Sequence, residues 1–467
     1  AVLPLAASRG EGVSAVARAA LLAKPPRWKG LSGGGESEEE RIVHRYAYVS
    51  ALVRRAVRPA PQSRAQRRSM RLDAVLTHRL LSFPIFFSIM ALVFYLTFGP
   101  VGGTLNGLFR RALETVTAGV STLLIRAGAP AFLYGMVVQG VLTGVGSVLS
   151  FLPTILTLFF FLSLLEDSGY MARMAYITDR LLRKLGLTGR SFVPALLGFG
   201  CSVPAILATR TLPTARDRKL TILLVPFMSC SAKLPIYAVF CQAFFPKHAA
   251  LFMLFLYIGA VLTGIAALCL INHAVPKSAP PPFVLELPAY RLPTARSAFL
   301  LVKTRTAAFL RCALTTLLIA SIGVFALQRI DWSLAPVADN AQSALASIGR
   351  AVAPLFTPLG FGDWRAATSL LSGLMAKEGV LSCLSVLLGA PDGAALQAAL
   401  MRVFTPLSAV SFLVFTLLYM PCVAAFAAAR RELGGFRYAL AAAAFQTGVA
   451  WLAALVVYNG ARLLGLS

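Results

Sequence analysis

Three thiols recur in one kind of setting. Cys201 in "GFGCSVPA", Cys230 in "FMSCSAKLP" and Cys422 in "YMPCVAA" each lie in an apolar stretch beside a proline or a small polar residue. Proline removes a backbone donor and frees an upstream carbonyl, so Pro204, Pro235 and Pro421 predict helix breaks. At such breaks the thiols, the hydroxyls of Ser202, Ser229 and Ser231, and backbone carbonyls together offer a graded ligand set to a dehydrated cation. Sulfur donors select softer transition metals over Mg²⁺ or Ca²⁺, and Met228, Met375 and Met420 lie close by in sequence. Donor type does not decide among Fe²⁺, Mn²⁺, Co²⁺ and Zn²⁺. The plainer alternative is that a buried cysteine is a small apolar residue, and it holds for Cys241, Cys269, Cys312 and Cys383, which lack that setting.

Ionisable residues inside apolar segments are costly and usually face a cavity or a partner. Lys233, Lys377 and Glu378 qualify. Glu378 reads either as a cation ligand or as one member of a structural ion pair with Lys377 or Lys233. A fixed ammonium beside a cation path would repel the ion, so Lys233 and Lys377 are expected to act in gating or pairing. Glu166 and Asp167 close a long apolar run and suggest a carboxylate-lined vestibule, the alternative being a solvated helix end that meets Arg173 and Arg180. The histidines (His44, His78, His248, His273) form no metal-spaced pair, and there is neither a G-x-x-x-x-G-K-[ST] loop nor a nucleophile–base constellation.

The elements that must position these residues are membrane helices. Of the 467 residues, 58% are hydrophobic and 13% charged, mean hydropathy is +0.75, and solid runs such as "SFLPTILTLFFFLSLL" are not the alternating strands of a β-barrel. The net charge of +26 sits in short segments between apolar runs, which points to the positive-inside rule and anionic lipid, not to nucleic acid. No compact disulfide framework or CxxC pair is present among the seven cysteines, so free thiols are expected. The fold expected is an all-α polytopic membrane protein of about eight spans, at 80–98, 136–165, 219–245, 249–272, 307–328, 366–389, 406–428 and 437–463. Segment 190–212 is apolar but short and carries Pro194, Gly198, Gly200 and Pro204, as a broken or re-entrant helix does. A full crossing by 366–389 would put Arg430 and Arg431 outside, so that segment too is read as broken, at Gly373 to Gly379. Two halves then correspond in an inverted repeat whose broken helices meet near the bilayer midplane. Fifteen Lys/Arg precede the first span, which places the N-terminus in the cytoplasm. The first residues are not a signal peptide, and the chain, which does not begin with Met, is read as a fragment or processed product.

"VLTGVGSVLSFLPTILTLFFFLSLLEDSGYMARMAYITD", "GFGCSVPAILATRTL", "RDRKLTILLVPFMSCSAKLPIYAVF", "PPFVLELPAYRLPT", "PLGFGDWRAATSLLSGLMAKEGV" and "LLYMPCVAAFAAARRE" resemble the membrane domain of the FeoB family of bacterial ferrous-iron transporters, over roughly 40–467. "AASRGEGV", residues 6–13, resembles the last guanine-contacting loop of that family's G domain, with Ala7 where the consensus has Ser; Ser8 and Gly10 belong to this remnant. The phosphate-binding loop is not in the chain, so the GTPase activity of full-length relatives cannot reside in these residues alone. The resemblance implies two Gate-type halves, Fe(II) import across the inner membrane, Cys201, Cys230 and Cys422 as path residues, GTP and Mg in the G domain, and small cytoplasmic Feo accessory proteins as partners; a homo-oligomer is a separate expectation. Domains are expected at 1–35 (G-domain remnant and helical extension), 36–79 (connector), 80–135 (first span and outer amphipathic segment), 136–272 (first half), 273–306 (cytoplasmic loop), 307–349 (span and outer loop), 350–436 (second half) and 437–467 (last span). The rival readings are a Gate-type transporter of another divalent metal or a nucleoside-like solute, and a non-conducting membrane scaffold.

Overall fold

The computed structural model describes residues 46–47, 49–51 and most of 64–465, the larger gaps covering most of 129–151 and 334–339 and all of 275–289 and 308–322. Ser8, Gly10, Cys312, Pro421, the expected span 307–328 for the most part, and the start of 136–165 lie outside the described residues. Residues 1–67 and 68–467 are separate compact units, and the second holds the long apolar runs.

Its regular elements are helices, as the apolar runs require. In chain order they are α1 (Arg64–Leu76), α2 (Ser82–Phe98), α3 (Pro100–Arg126), α4 (Leu152–Asp167), α5 (Tyr170–Lys184), α6 (Phe192–Gly198), α7 (Ser202–Ala208), α8 (Ala215–Leu224), α9 (Leu234–Phe244) and α10 (Ala249–Ala274). Further along the chain come α11 (Ala344–Val352), α12 (Trp364–Ser372), α13 (Gly379–Leu387), α14 (Gly393–Val403), α15 (Pro406–Leu418), α16 (Val423–Leu433) and α17 (Phe436–Leu463). Local sequence fixes many ends. Thr405 and Ser408 form a reciprocal capping box at α15 with Pro406 in its first turn, Thr214 caps α8 through Asp217 N–H, and Asp363 caps α12.

Among the described residues five stretches are long and apolar enough to cross a membrane, and up to seven if two sharply bent pairs each count as one. The first, Ser82–Arg126, runs 45 residues and takes in both α2 and α3. The bent pairs are α4 with α5, at 80°, and Ala344–Leu359 with α12, at 108°. Both turn on a left-handed glycine, Gly169 at φ 83° and Gly360 at φ 82°, a conformation that costs a residue with Cβ roughly 1–2 kcal/mol.

Among the described residues the two larger of three apolar cores each borrow a helix from the other half of the chain. Phe227, Ile236, Tyr237 and Phe240, at the α8–α9 break and on α9, pack with Phe404, Phe412 and Leu413, the Phe240 ring stacking on Phe412 at 5.3 Å. Reciprocally, Ala424, Ala425 and Ala428 of α16 pack against Val203 and Ile206 of α7, the small side chains allowing the close approach usual between membrane helices. Arg210 Nε donates to Glu432 Oε1 at 2.6 Å. That bond puts "RTLPTARDRK" and "AARRELGGFR" on one side, the arrangement expected if 366–389 is broken.

Candidate functional site

Each of the three thiols stands in extended backbone just ahead of a helical turn. Cys201 (φ −156°, ψ 131°) precedes α7, Cys230 (φ −73°, ψ 158°) precedes the tight turn Ser231–Lys233 that leads into α9, and Cys422 (φ −58°, ψ 159°) precedes α16. The fourth break, 373–378 between α12 and α13, carries Lys377 and Glu378. All three thiols are partly exposed, and with the Glu378 carboxyl they lie within electrostatic range of one another.

Hydrogen bonds join the breaks. Ser231 Oγ donates to the Gly200 carbonyl at 3.1 Å, linking the first two. Val423 N–H donates to the Leu374 carbonyl at 2.8 Å and Lys377 Nζ to the Met420 carbonyl at 2.7 Å, linking the other two. The halves are joined by Lys233, whose Nζ donates to the Pro226 carbonyl and to the Leu417 carbonyl at the end of α15. Both lysines are 3% exposed, and Lys377 also lies over the Tyr419 ring. An ammonium at the carbonyl end of a helix complements its dipole and satisfies orphaned acceptors. Neither lysine, nor Glu378, takes part in an ion pair among the described residues; the negative partners that the lysines find are carbonyls.

Two stretches, 148–244 and 310–436, match the Gate family profile, described as "Nucleoside recognition". Each contains a pair of the breaks just described. Residues 252–305 match the profile "Ferrous iron transport protein B C terminus". The chain is 37% identical to "Fe(2+) transporter FeoB" of Staphylococcus aureus (strain COL) over 427 residues, 91% of this chain and 64% of that protein. It is 35% identical to the protein of that name from Methanocaldococcus jannaschii over 433 residues, 91% of this chain and 63% of that one. The chain belongs to the FeoB family, as part of its membrane region. It spans just under two thirds of the length of these relatives. A further relative, 33% identical over 90% of this chain and 55% of its own length, is the "Fe(2+) transport protein A/Fe(2+) transporter FeoB fusion protein" of Porphyromonas gingivalis. No solved structure matches.

Within this FeoB-family membrane region the remaining residues singled out in the sequence take varied places. Ser202 is buried at the start of α7 and Met228 is buried beside Gly198. Ser229 is 1% exposed and shares a 3.1 Å hydrogen bond with the Tyr237 hydroxyl. Pro204 and Pro235 sit in the first turns of α7 and α9, where the missing N–H costs nothing. The interruptions themselves lie upstream, one of them at Pro226 inside the tight turn that ends α8, a proline that a reading centred on the thiols passes over. Glu166 and Asp167 are exposed at the end of α4, removed in sequence from all four breaks. No three His, Cys, Asp or Glu side chains converge into a metal-holding group among the described residues.

Sequence reasoning missed Tyr237 and Tyr419. Both are fully or almost fully buried, and Tyr419 OH donates to the Leu370 carbonyl at 3.2 Å. The available signal was a phenol inside an apolar run, which needs a polar partner.

Proposed function

We propose that this chain is the conducting part of a ferrous-iron importer of the inner membrane, with Fe²⁺ passing the four helix breaks along Cys201, Cys230 and Cys422. The observation that carries this reading is the placement of three partly exposed thiols on extended backbone within electrostatic range of one another, in a chain whose relatives are named Fe(2+) transporters. Fe²⁺ exchanges water for sulfur, hydroxyl and carbonyl donors there. Because several of the freed carbonyls already accept bonds from Lys233, Lys377 and Ser231, and no tight three-ligand group forms among the described residues, the ion is held weakly, as a species in transit has to be. Ser202, Ser229, Ser231, Met228 and Glu378 flank the path; Glu166 and Asp167 collect cations at an exposed helix end; Lys233 and Lys377 set the spacing of the breaks. In the full-length protein a cytoplasmic GTP- and Mg-binding domain gates the path, and a small protein of the kind fused to the Porphyromonas relative binds beside it.

The test is uptake of radiolabelled Fe²⁺ into proteoliposomes of the full-length protein. Cys230→Ser and Cys201→Ser at matched insertion should each slow uptake about tenfold or more, equivalent to ~1.4 kcal/mol on a barrier. Wild-type rates in both variants would remove the thiols from the path.

A further inference from the structure

A groove of about 510 Å³ lies between α2, α5, α6 and α10, with a wholly apolar wall that includes Phe87, Leu181, Phe199, Met228, Tyr257 and Leu262. Its single hydroxyl on α5, Thr178, is turned inward onto the Met174 carbonyl at 2.7 Å, which leaves the methyl for the groove. Several rim side chains are largely exposed, Phe87 at 65% and Leu262 at 59%, so the groove opens sideways, toward where lipid would lie. Along α10 it extends from Tyr257 to Ile265; eight residues at 1.5 Å give about 12 Å, close to the ~15 Å hydrocarbon depth of one leaflet.

One end of this groove is basic. Beyond Leu185, α5 terminates in Arg183 and Lys184; Lys184 is exposed, while Arg183 pairs with Asp179 at 2.5 Å. There the left-handed Gly186 abuts the Asn272 side chain, which in turn accepts from Arg216 Nη2 at 2.5 Å. Arg216 is half-buried and carries the second positive charge at that end. We infer that the groove holds one acyl chain of an anionic phospholipid, its headgroup phosphate set at Lys184 and Arg216. The inner end of the chain then rests on Phe199 and Met228, two residues ahead of Cys201 and Cys230, so the bound lipid braces both breaks of the first half from their membrane side.

This binding is testable without any transport assay. The purified chain is placed in nanodiscs containing either phosphatidylglycerol or phosphatidylcholine that carries a diazirine in its acyl chain, and the photolabel is mapped by mass spectrometry. Label should concentrate on peptides holding Phe87, Leu181 and Leu262, at least about threefold more from the anionic lipid. Leu262→Trp, which fills the groove from an exposed position, should abolish the focus, as should Ala195→Phe; Lys184→Gln should erase the headgroup preference and leave the labelling itself. Label spread evenly over other exposed faces such as Leu452 and Val456 of α17, unchanged in Leu262→Trp, would overturn the proposal, as would cross-links from the groove to a second copy of the chain in place of lipid.

Discussion

Removing Asp73 should strand a buried cation, and the size of the effect can be worked out. Arg173 is 1% exposed. Its Nε reaches Asp73 Oδ1 at 2.7 Å and Nη2 reaches Oδ2 at 3.2 Å, a bidentate pair, while Nη1 donates to the Gly169 carbonyl at 3.0 Å. The Tyr290 ring covers the guanidinium at 3.9 Å, and Tyr290 N–H donates to Ser69 Oγ at 3.0 Å. One side chain therefore ties α1 to the α4–α5 bend and to the segment at Tyr290. Breaking a buried pair from one side typically costs about 3–5 kcal/mol; the Asp73 side chain is 25% exposed, so water tempers this and Asp73→Ala should cost about 2–3 kcal/mol. Arg173→Met, which removes the cation and leaves a carboxylate with some access to water, should cost about 1–2 kcal/mol. The double variant should then fall short of the sum by about 1.5 kcal/mol or more, a coupling energy measurable by reversible unfolding in mixed micelles. Additivity within about 0.5 kcal/mol would mean that the two groups do not depend on each other, and the reasoning from burial would fail.

Other outcomes follow from the same geometry. Lys233→Met and Lys377→Met should each destabilise by about 1–3 kcal/mol in that unfolding assay, because each leaves a buried carbonyl unpaired, whereas Glu378→Gln should change stability by no more than about 0.5 kcal/mol; equal losses in all three would restore an ion pair as the organising contact. Phe412→Ala should cost about 3–5 kcal/mol, since its ring is fully buried against Phe240 and Phe404. Gly360→Ala should lower the melting temperature, because the position needs φ 82° and the Tyr458 ring occupies the space of a Cβ. Burial pushes the Tyr290 hydroxyl up from its ordinary range, with the Arg173 guanidinium pulling the other way. A raised acid favours the neutral form in the fold, so this contribution is complete below the unfolded value of about 10 and is lost only as pH rises beyond it; Tyr290→Phe should therefore remove an alkaline dependence and leave the neutral range untouched.

The apolar runs, the basic segments between them and the Gly/Pro interruptions made the helical membrane fold and the segments 190–212 and 366–389 readable as broken, because lipid leaves the backbone few options. Cys201, Cys230 and Cys422 stood out for the same reason. What could not be read was pairing across distance. Lys233 suggested a carboxylate partner because charges attract charges, yet in the fold it finds helix-end carbonyls, one of them more than 180 residues away, and no local pattern announces an acceptor that is backbone. Pro235 suggested the interruption but begins the following helix, since a proline marks the neighbourhood of a break without saying which side. The Arg173 cluster joins residues 69, 73 and 290, and only tertiary structure brings those together.

The exchange of α9 and α16 between the two cores bears on how the chain is made. When the first half has left the ribosome, Val203 and Ile206 of α7 still lack the alanine face that covers them, because α16 is synthesised some 220 residues later. Phe240 is left equally without Phe404 and Phe412. Neither half can complete its packing alone, so insertion must hold the first as an open set of helices until residue 433 is out, and closure of both cores becomes a single late event. A chain that stopped before α16 would accordingly leave Val203 and Ile206 of α7 without their alanine cover.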